Sequence, residues 1–324
     1  MSFKRLDPED FLVSTESIVA PAWSNYSSSI SSLFTSATQT GGPSGDYYIN
    51  VYDQTSTNAT AEVQFSVAYG DSKGSGSLLY NSGVNGLSPS RTVYGQFVNL
   101  LLGEDENTSF NFGGSSTSEN FYAIVINRAR YKQAIMPGSI RISGLISSIS
   151  ITDNSTITPV VDYTNAGRKF TLGSGSFGNG VANGIAGVYG YLFPDVGVII
   201  LNPAALGSVT TDRQSNTDNN NPTALINALN NDPFFLQSQE TVTSDFVFCR
   251  ARNAEFNYSV NPSFSVSASA GTILYNDFVQ NPQTYITSIG MYNDNNELLA
   301  VAKLSKPLKK DFTKEALIRV KLDF

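Results

Sequence analysis

Histidine is absent from all 324 positions of the chain, and cysteine occurs once, at Cys249. Because histidine is the side chain that titrates nearest to neutral pH, its absence excludes the Ser-His-Asp triad, the Cys-His pair and histidine-ligated zinc. A lone cysteine also excludes an intrachain disulfide and a four-thiolate metal site. The composition therefore predicts a protein that is not an enzyme and that carries neither a cofactor nor a metal ion.

Charged side chains are also scarce, at 15% of the sequence against about 25% in an ordinary soluble domain. The net charge of −7 argues against nucleic acid as a partner. Asp7, Glu9 and Asp10 interrupt the apolar residues near the N-terminus, so no secretory segment is expected. No window approaches the ~18 apolar residues of a membrane span. We therefore expect no membrane partner, and a disulfide-free chain suits folding in a reducing cytoplasm.

The sequence is instead rich in apolar residues that alternate with polar ones at a period of two, which is typical of β-strands. Residues 63–69 read VQFSVAY, and segments such as 92–102 and 284–292 are also predicted as strands. Helical patterns are few, and the best begins at Asn221 with Pro222 in its first turn. The predicted fold is mainly β, with antiparallel sheets forming about two β-sandwich-like units and few short helices.

Polar segments divide the chain into four expected parts. These are an N-terminal arm (1–39), a first β domain (40–205), a polar linker with a short helix (206–234) and a C-terminal β domain (235–324).

Three motifs with possible chemistry are each better explained as loops. The segment from Gly173 to Gly178 matches G-x-G-x-x-G, but a glycine-broken stretch follows it where a dinucleotide site needs a helix. The acidic cluster 104–106 resembles a solvated loop tip more than a facing pair of glycosidase carboxylates. Asp212 and Asp218 offer oxygen ligands for calcium but lack the ordered spacing of a calcium loop.

The C-terminus carries a basic segment on an acidic body. From residue 303 onward there are seven Lys or Arg against three Asp or Glu. Pro307 cannot donate to a ladder, so 305–314 is predicted as a loop between two strands. Lys306, Lys309 and Lys310 would project from it. They would either contact a neighbouring chain or protect a sheet edge from unwanted pairing.

The N-terminal arm is the second predicted interface. Its apolar residues Phe3, Leu6 and Phe11 follow no strong helix or strand period, so the segment is expected to gain order by docking on another chain. Trp23 either anchors the same contact or belongs to the core.

Arg250 and Arg252 form a third candidate contact. They lie two residues apart on one face of a predicted strand. They would pair with carboxylates of a neighbouring chain or of this one.

Four blocks of sequence carry a resemblance to a known family: FKRLDPEDFLVSTESIVAPAW, LLYNSGVNGLSPSRTVYGQF, FVFCRARNAEFNYSVNPSF and YNDNNELLAVAKLSKPLKKDFTKEALIRVKLDF. They resemble a virion structural protein, of tail or baseplate type, from contractile-tailed phages of marine bacteria such as cyanobacteria. The resemblance implies a non-enzymatic subunit of the virion tail that is assembled in the host cytoplasm. Its implied partners are other virion structural proteins and further copies of itself, and the resemblance assigns no role to any residue.

The alternative function is that of a receptor- or carbohydrate-binding tail protein. Such a protein would need an exposed, concave aromatic site. Alternating tyrosines on strands are more often part of sheet packing than of such a site.

Overall fold

A computed structural model describes residues 4–35, 47–77, 88–103, 109–113, 119–146, 149–182, 187–207, 220–229, 234–259 and 277–323. Its sheets are antiparallel and the fold is mainly β, which confirms the predicted fold class. The chain forms two compact units. The larger comprises Ser17–Glu240, and the smaller joins Met1–Glu16 to Thr241–Phe324.

The elements follow one another along the chain after a short 3-10 helix at Pro8–Asp10. They are β1 (Phe11–Pro21), β2 (Ser29–Ile30), β3 (Phe34–Thr35), β4 (Tyr48–Tyr52), β5 (Val63–Asp71), α1 (Pro89–Leu102), β6 (Asn120–Ile126), α2 (Arg128–Tyr131), β7 (Ala134–Ile135), β8 (Arg141–Ile146), β9 (Ile149–Asp153), β10 (Asp162–Thr164), β11 (Gly167–Ser174), β12 (Gly190–Phe193), β13 (Val198–Leu201), α3 (Asn220–Leu229), β14 (Phe234–Phe235), β15 (Gln237–Ala251), α4 (Asp277–Gln280), β16 (Gln283–Tyr292), β17 (Leu298–Asp311) and β18 (Ala316–Asp323).

The main sheet of the larger unit is continuous. Its strand order is β2-β14-β8-β9-β11-β12-β13-β6-β5-β4-β3, and β10 pairs with β11. Phe65 on β5 and Phe234 on β14 lie far apart in this order, yet their ring centroids are 5.4 Å apart. Trp23 packs against both rings, at 6.0 Å and 5.2 Å. The sheet therefore curves until its two ends face the same core, which gives the unit its sandwich-like character.

Helix α3 fills this core. It begins near Pro222, as the sequence predicts, and buries Leu225, Ile226 and Leu229. These three positions lie on one stripe of a helix, so the segment is part of the core and not a linker.

Helix α1 occupies a segment that the sequence analysis predicts as a strand. Phe97, Val98 and Leu101 are buried there against Phe121 of β6. Their spacing of three and four residues fits a helix, and Pro89 suits a helix start. The strand prediction for 92–102 is wrong because this spacing outweighs the β-branched and aromatic residues in the segment.

The smaller unit contains most of a sheet with the strand order β1-β15-β18 and the separate two-stranded ribbon β16–β17. β7 also pairs with the beginning of β15, at Ser238 and Gln239. β15 and β18 pair over eight positions, from Ser244–Asp323 to Ala251–Ala316. Cys249 lies on β15 and is half-buried. Burial raises the pKa of its thiol and Asp10 adds to this effect, so the group is held in the unreactive protonated form.

These units differ from the expected division into four parts. The segment up to residue 16 belongs with the C-terminal strands, and Trp23 belongs to the core of the larger unit. The difference arises because β1 pairs with β15, a long-range contact that no local pattern reveals.

Candidate assembly surfaces

β1 is an edge strand that exposes both of its faces. Phe11 is 53% exposed and Val13 is 66% exposed on one face, and Leu12 and Ile18 are exposed on the other. Among the described strands only β15 pairs with it, so no strand of the described ranges covers its outer backbone edge. A long, apolar, open edge is a template for pairing with another chain.

Contacts within the chain hold the N-terminal segment in place. The Lys4 ammonium donates to the Arg250 carbonyl oxygen at 2.8 Å and to a Glu255 carboxylate oxygen at 3.0 Å. Glu16 pairs with Lys321 at 3.0 Å. The segment is thus ordered by its own chain, and docking on another chain stays a prediction for the exposed strand.

The four N-terminal candidates have different environments. Trp23 is 3% exposed and its indole N–H donates to the Ser28 carbonyl oxygen. It is therefore a core residue, and its role as an exposed anchor is wrong. Phe11 is exposed and Leu6 is half-buried, whereas Phe3 lies outside the described residues.

The ribbon β16–β17 is the second exposed surface. Tyr285, Leu298, Leu299, Val301 and Leu308 are large apolar residues that face solvent on it. A two-stranded ribbon is marginally stable by itself in water, and contiguous exposed apolar residues are typical of protein interfaces.

The predicted loop 305–314 is a strand as far as Asp311. Pairing is nevertheless irregular around Pro307. One residue of β16 and four of β17 separate the pair Ile286–Leu308 from the pair Ser288–Lys303. Because proline cannot donate to the ladder, it forces a bulge, which leaves Lys306 exposed at the irregular position.

The prediction that Lys310 contacts a neighbouring chain is wrong. Its side chain is fully buried, whereas Lys306 and Lys309 are exposed. The Lys310 ammonium donates to the Asn253 carbonyl oxygen at 3.0 Å, to Asn257 Oδ1 at 2.9 Å and to the Asp311 carbonyl oxygen at 2.9 Å. These acceptors satisfy its three donors, so Lys310 fixes the base of the ribbon to the turn after β15.

Arg250 and Arg252 are both exposed. Neither guanidinium takes part in an ion pair within the described part of the chain. Instead, the backbone N–H of Arg252 donates to Glu255 at 2.8 Å, and this bond and Lys4 lower the pKa of the Glu255 carboxyl. Pairing of either guanidinium with a carboxylate of a neighbouring chain stays a prediction.

A third surface, which the sequence analysis missed, surrounds Arg141. Its guanidinium carbon lies 5.7 Å from the ring centroids of both Phe177 and Phe235. Phe177 is 50% exposed and has a φ of 44°. Arg141 and Phe235 are direct cross-strand neighbours, but Phe177 comes from a distant loop, so no sequence spacing reveals the cluster.

The glycine-rich motif has a structural explanation. The Gly178 N–H donates to Thr152 Oγ1 at 3.0 Å, and the Gly180 N–H donates to the Asp153 carbonyl oxygen at 2.8 Å. A Cβ atom on Gly180 would meet the Thr152 carbonyl oxygen at 2.4 Å. The glycines therefore allow two backbone segments to pack closely.

The acidic candidates at 104–106, Asp212 and Asp218 lie outside the described residues. Within the described ranges, no three Asp, Glu or Cys residues gather as metal ligands. Asp71 is a carboxyl at the end of β5 whose pKa is shifted. Burial raises its pKa, although its carboxylate accepts from the Lys73 and Ser75 N–H groups and closes the turn after β5.

None of the helices in the described ranges has the length and apolarity to cross a membrane. The chain matches no family model, no curated protein and no solved structure.

Proposed function

We propose that this chain is a non-enzymatic structural subunit of a virion tail, in the baseplate, where it connects neighbouring chains. The observation that carries the proposal is the ribbon β16–β17, which presents large apolar side chains to solvent along most of its length. Burying such residues against a neighbour is favourable by about 25 cal/mol per Å² of apolar surface.

The charge of the ribbon indicates the chemistry of the neighbour. Lys303, Lys306 and Lys309 are exposed on β17 next to these apolar residues. The neighbouring surface should therefore be apolar at its centre and carry carboxylates at its rim, the usual arrangement of a protein interface. The resemblance of four sequence blocks to tail proteins supports a virion as the setting.

Incorporation into particles tests this function. A tagged copy of the chain is expressed during infection and its amount in purified particles is measured. Replacing Leu299 and Val301 by Asp should reduce incorporation strongly, because two carboxylates would be buried at the contact. The control is Val160→Asp, since Val160 is 72% exposed but lies in the larger unit. Equal incorporation of both variants would contradict the proposal.

The lysines provide a second variant of the same test. Lys306→Glu with Lys309→Glu changes only exposed side chains, so the fold should be kept within ~0.5 kcal/mol. Incorporation should fall and become more sensitive to salt, because the charge pairs across the contact are reversed.

The second candidate function is binding of an acidic glycan on the host surface. It is favoured by the cluster in which Phe177 exposes a ring beside the Arg141 guanidinium. A sugar can stack on the ring while its carboxylate pairs with the guanidinium. Phe177→Ala should abolish binding to host envelope polysaccharide, and Val181→Ala, an exposed residue of the same loop, should not.

A further inference from the structure

The open edge of β1 carries a sequence pattern that is nearly symmetric about its centre. Residues 11–20 read FLVSTESIVA, so apolar residues flank a polar middle on both sides. Both faces of the strand follow this pattern, since β1 exposes Phe11, Val13 and Val19 on one face and Leu12 and Ile18 on the other. An antiparallel copy of the strand would therefore meet it with apolar residues opposite apolar residues.

Two-fold symmetry limits the possible registers of such a pair. Successive pairs in an antiparallel ladder alternate between hydrogen-bonded and non-hydrogen-bonded geometry. A two-fold axis between the strands has to relate hydrogen-bonded pairs to hydrogen-bonded pairs. The axis therefore passes between one residue and the same residue of the second copy. The candidates near the centre of β1 are Ser14, Thr15, Glu16 and Ser17.

Glu16 discriminates among these four registers. With Glu16 at the centre, two carboxylates face each other, which is destabilising. With Ser14 at the centre Glu16 faces Leu12, and with Ser17 at the centre it faces Ile18. With Thr15 at the centre Glu16 faces Ser14, and the carboxylate meets neither a like charge nor an apolar residue.

The register centred on Thr15 also places apolar residues opposite apolar residues. It sets Phe11 opposite Val19 of the second copy and Leu12 opposite Ile18 of the second copy. Thr15 faces Thr15, a favourable cross-strand pair. Each apolar pair occurs twice because of the two-fold axis.

From these observations we propose that β1 pairs antiparallel with β1 of a second copy, about a two-fold axis at Thr15. The two sheets then become one sheet that continues across the axis. Self-pairing is favoured over a different partner because the matching residues all lie in this one strand. The proposal does not depend on the ribbon or on the virion.

Cysteine cross-linking tests both the pairing and its register. In the Thr15 register the two Thr15 Cα atoms lie ~4.5–5.5 Å apart, within the ~4.4–6.8 Å that a disulfide requires. Thr15→Cys in a Cys249→Ser background should therefore give a disulfide-linked dimer under mild oxidation. Ser17→Cys in the same background is the control, because Ser17 faces Val13 of the second copy and the two cysteines would be about 13 Å apart.

The outcomes separate clearly. A cross-linked Thr15→Cys dimer beside an uncross-linked Ser17→Cys chain supports the register. Equal cross-linking of both variants, or of neither, overturns it. A monomeric native chain in sedimentation equilibrium would also overturn the proposal.

Substitutions at Ser14 give a second test that requires no cross-link. Ser14→Lys would place an ammonium opposite Glu16 of the second copy, and Ser14→Glu would place a carboxylate there. The dimer Kd should fall with Lys and rise with Glu, by roughly two- to thirty-fold since the pair occurs twice. A shift in the same direction for both variants, or no shift, would count against the proposal.

The result is independent of the proposed function. A chain that dimerises through β1 but never enters particles would leave this inference standing and overturn the function. A chain that enters particles through the ribbon while remaining monomeric in solution would do the reverse.

Discussion

The sheet formed by β1, β15 and β18 has two edges that differ in their protection. β18 carries Arg319 and Lys321, whose cationic groups lie 5.1 Å and 5.9 Å from the Phe246 ring centroid. β1 carries one charge, Glu16, which already pairs with Lys321. Positive side chains on an edge strand oppose pairing with further strands, whereas an apolar edge permits it. The comparison indicates that this sheet can extend beyond β1 but not beyond β18.

A similar contrast exists between two neighbouring lysines. Lys309 is exposed opposite Tyr285 on the ribbon, whereas Lys310 is fully buried and donates three hydrogen bonds. The two residues are adjacent and chemically identical, so their roles follow only from the alternation of side chains along β17. The exposed residue is available to a partner, and the buried one holds the ribbon that presents it.

The largest predicted effect is that of Lys310→Met. The change removes the ammonium from one buried and two partly buried oxygen acceptors. A buried acceptor left without its donor costs about 1–3 kcal/mol, and a partly buried one costs less because water can replace the donor. We expect the free energy of unfolding to fall by about 2–5 kcal/mol. Urea denaturation measures the loss, and amide exchange should rise most in β16, β17 and residues 253–257.

The matched control is Lys309→Met, which changes an exposed side chain on the same strand. It should alter stability by less than ~0.5 kcal/mol. Equal losses for both variants would show that Lys310 is not the group that fixes the base of the ribbon. If amide exchange in the β15–β18 ladder rose as much as in the ribbon, Lys310 would also stabilise that ladder. The edges at β1 and β18 could then not be compared independently of the ribbon.

The second prediction concerns a variant in which β18 loses the charges that distinguish its edge from that of β1. Arg319→Thr with Lys321→Thr keeps β-propensity but deletes the positive charges from β18. A chain with two open edges can add strands at both, so we expect concentration-dependent growth beyond a dimer. Light scattering against protein concentration measures this growth.

Arg250→Thr is the control for that experiment. Arg250 is exposed and lies on β15, between the two edge strands. Its loss should not cause growth, because a central strand offers no free edge. Loss of the Glu16–Lys321 pair costs up to ~1 kcal/mol, so the folded state should persist in the double variant. A double variant that stays a dimer at all concentrations would show that the charges on β18 do not protect its edge.

The sequence predicted the class of the fold and much of its local structure. The alternation in residues 63–69 gave β5, and Asn221-Pro222 marked the start of α3. Both features depend on neighbours in sequence, which is why periodicity and turn chemistry reveal them. The loop predicted from Pro307 is wrong, because the segment up to Asp311 is a bulged strand.

The features that were missed depend on long-range contacts. Two acceptors of the buried Lys310 ammonium belong to Asn253 and Asn257, and the exposed ring beside Arg141 belongs to Phe177. The open edge of β1 exists because β15 pairs with its other side. No local pattern contains these contacts, so the assignment of exposed and buried charges had to come from the structure.

The smallest predicted effect concerns an ion pair in the larger unit. Asp195 accepts from the Arg168 guanidinium at 2.6 Å and from the Arg168 backbone N–H at 2.8 Å. Burial alone would raise the pKa of Asp195, but the hydrogen bonds and charge of Arg168 outweigh it and lower the pKa below the usual value of 3.8. A lowered pKa in the folded state means that the pair contributes stability above the unfolded pKa. That contribution is lost as the pH falls through the folded pKa.

Arg168→Gln should therefore make stability less dependent on pH in the acidic range. Because both side chains are partly exposed, the effect is expected to stay within ~1 kcal/mol. Urea midpoints at neutral pH and below pH 4 measure it, and the difference between them should be smaller in Arg168→Gln than in the native chain. The dimer Kd should be the same in both chains at neutral pH, since neither residue lies on β1. An unchanged pH dependence would assign the acid sensitivity to other carboxylates, and an altered Kd would show that the β1 edge is coupled to this pair.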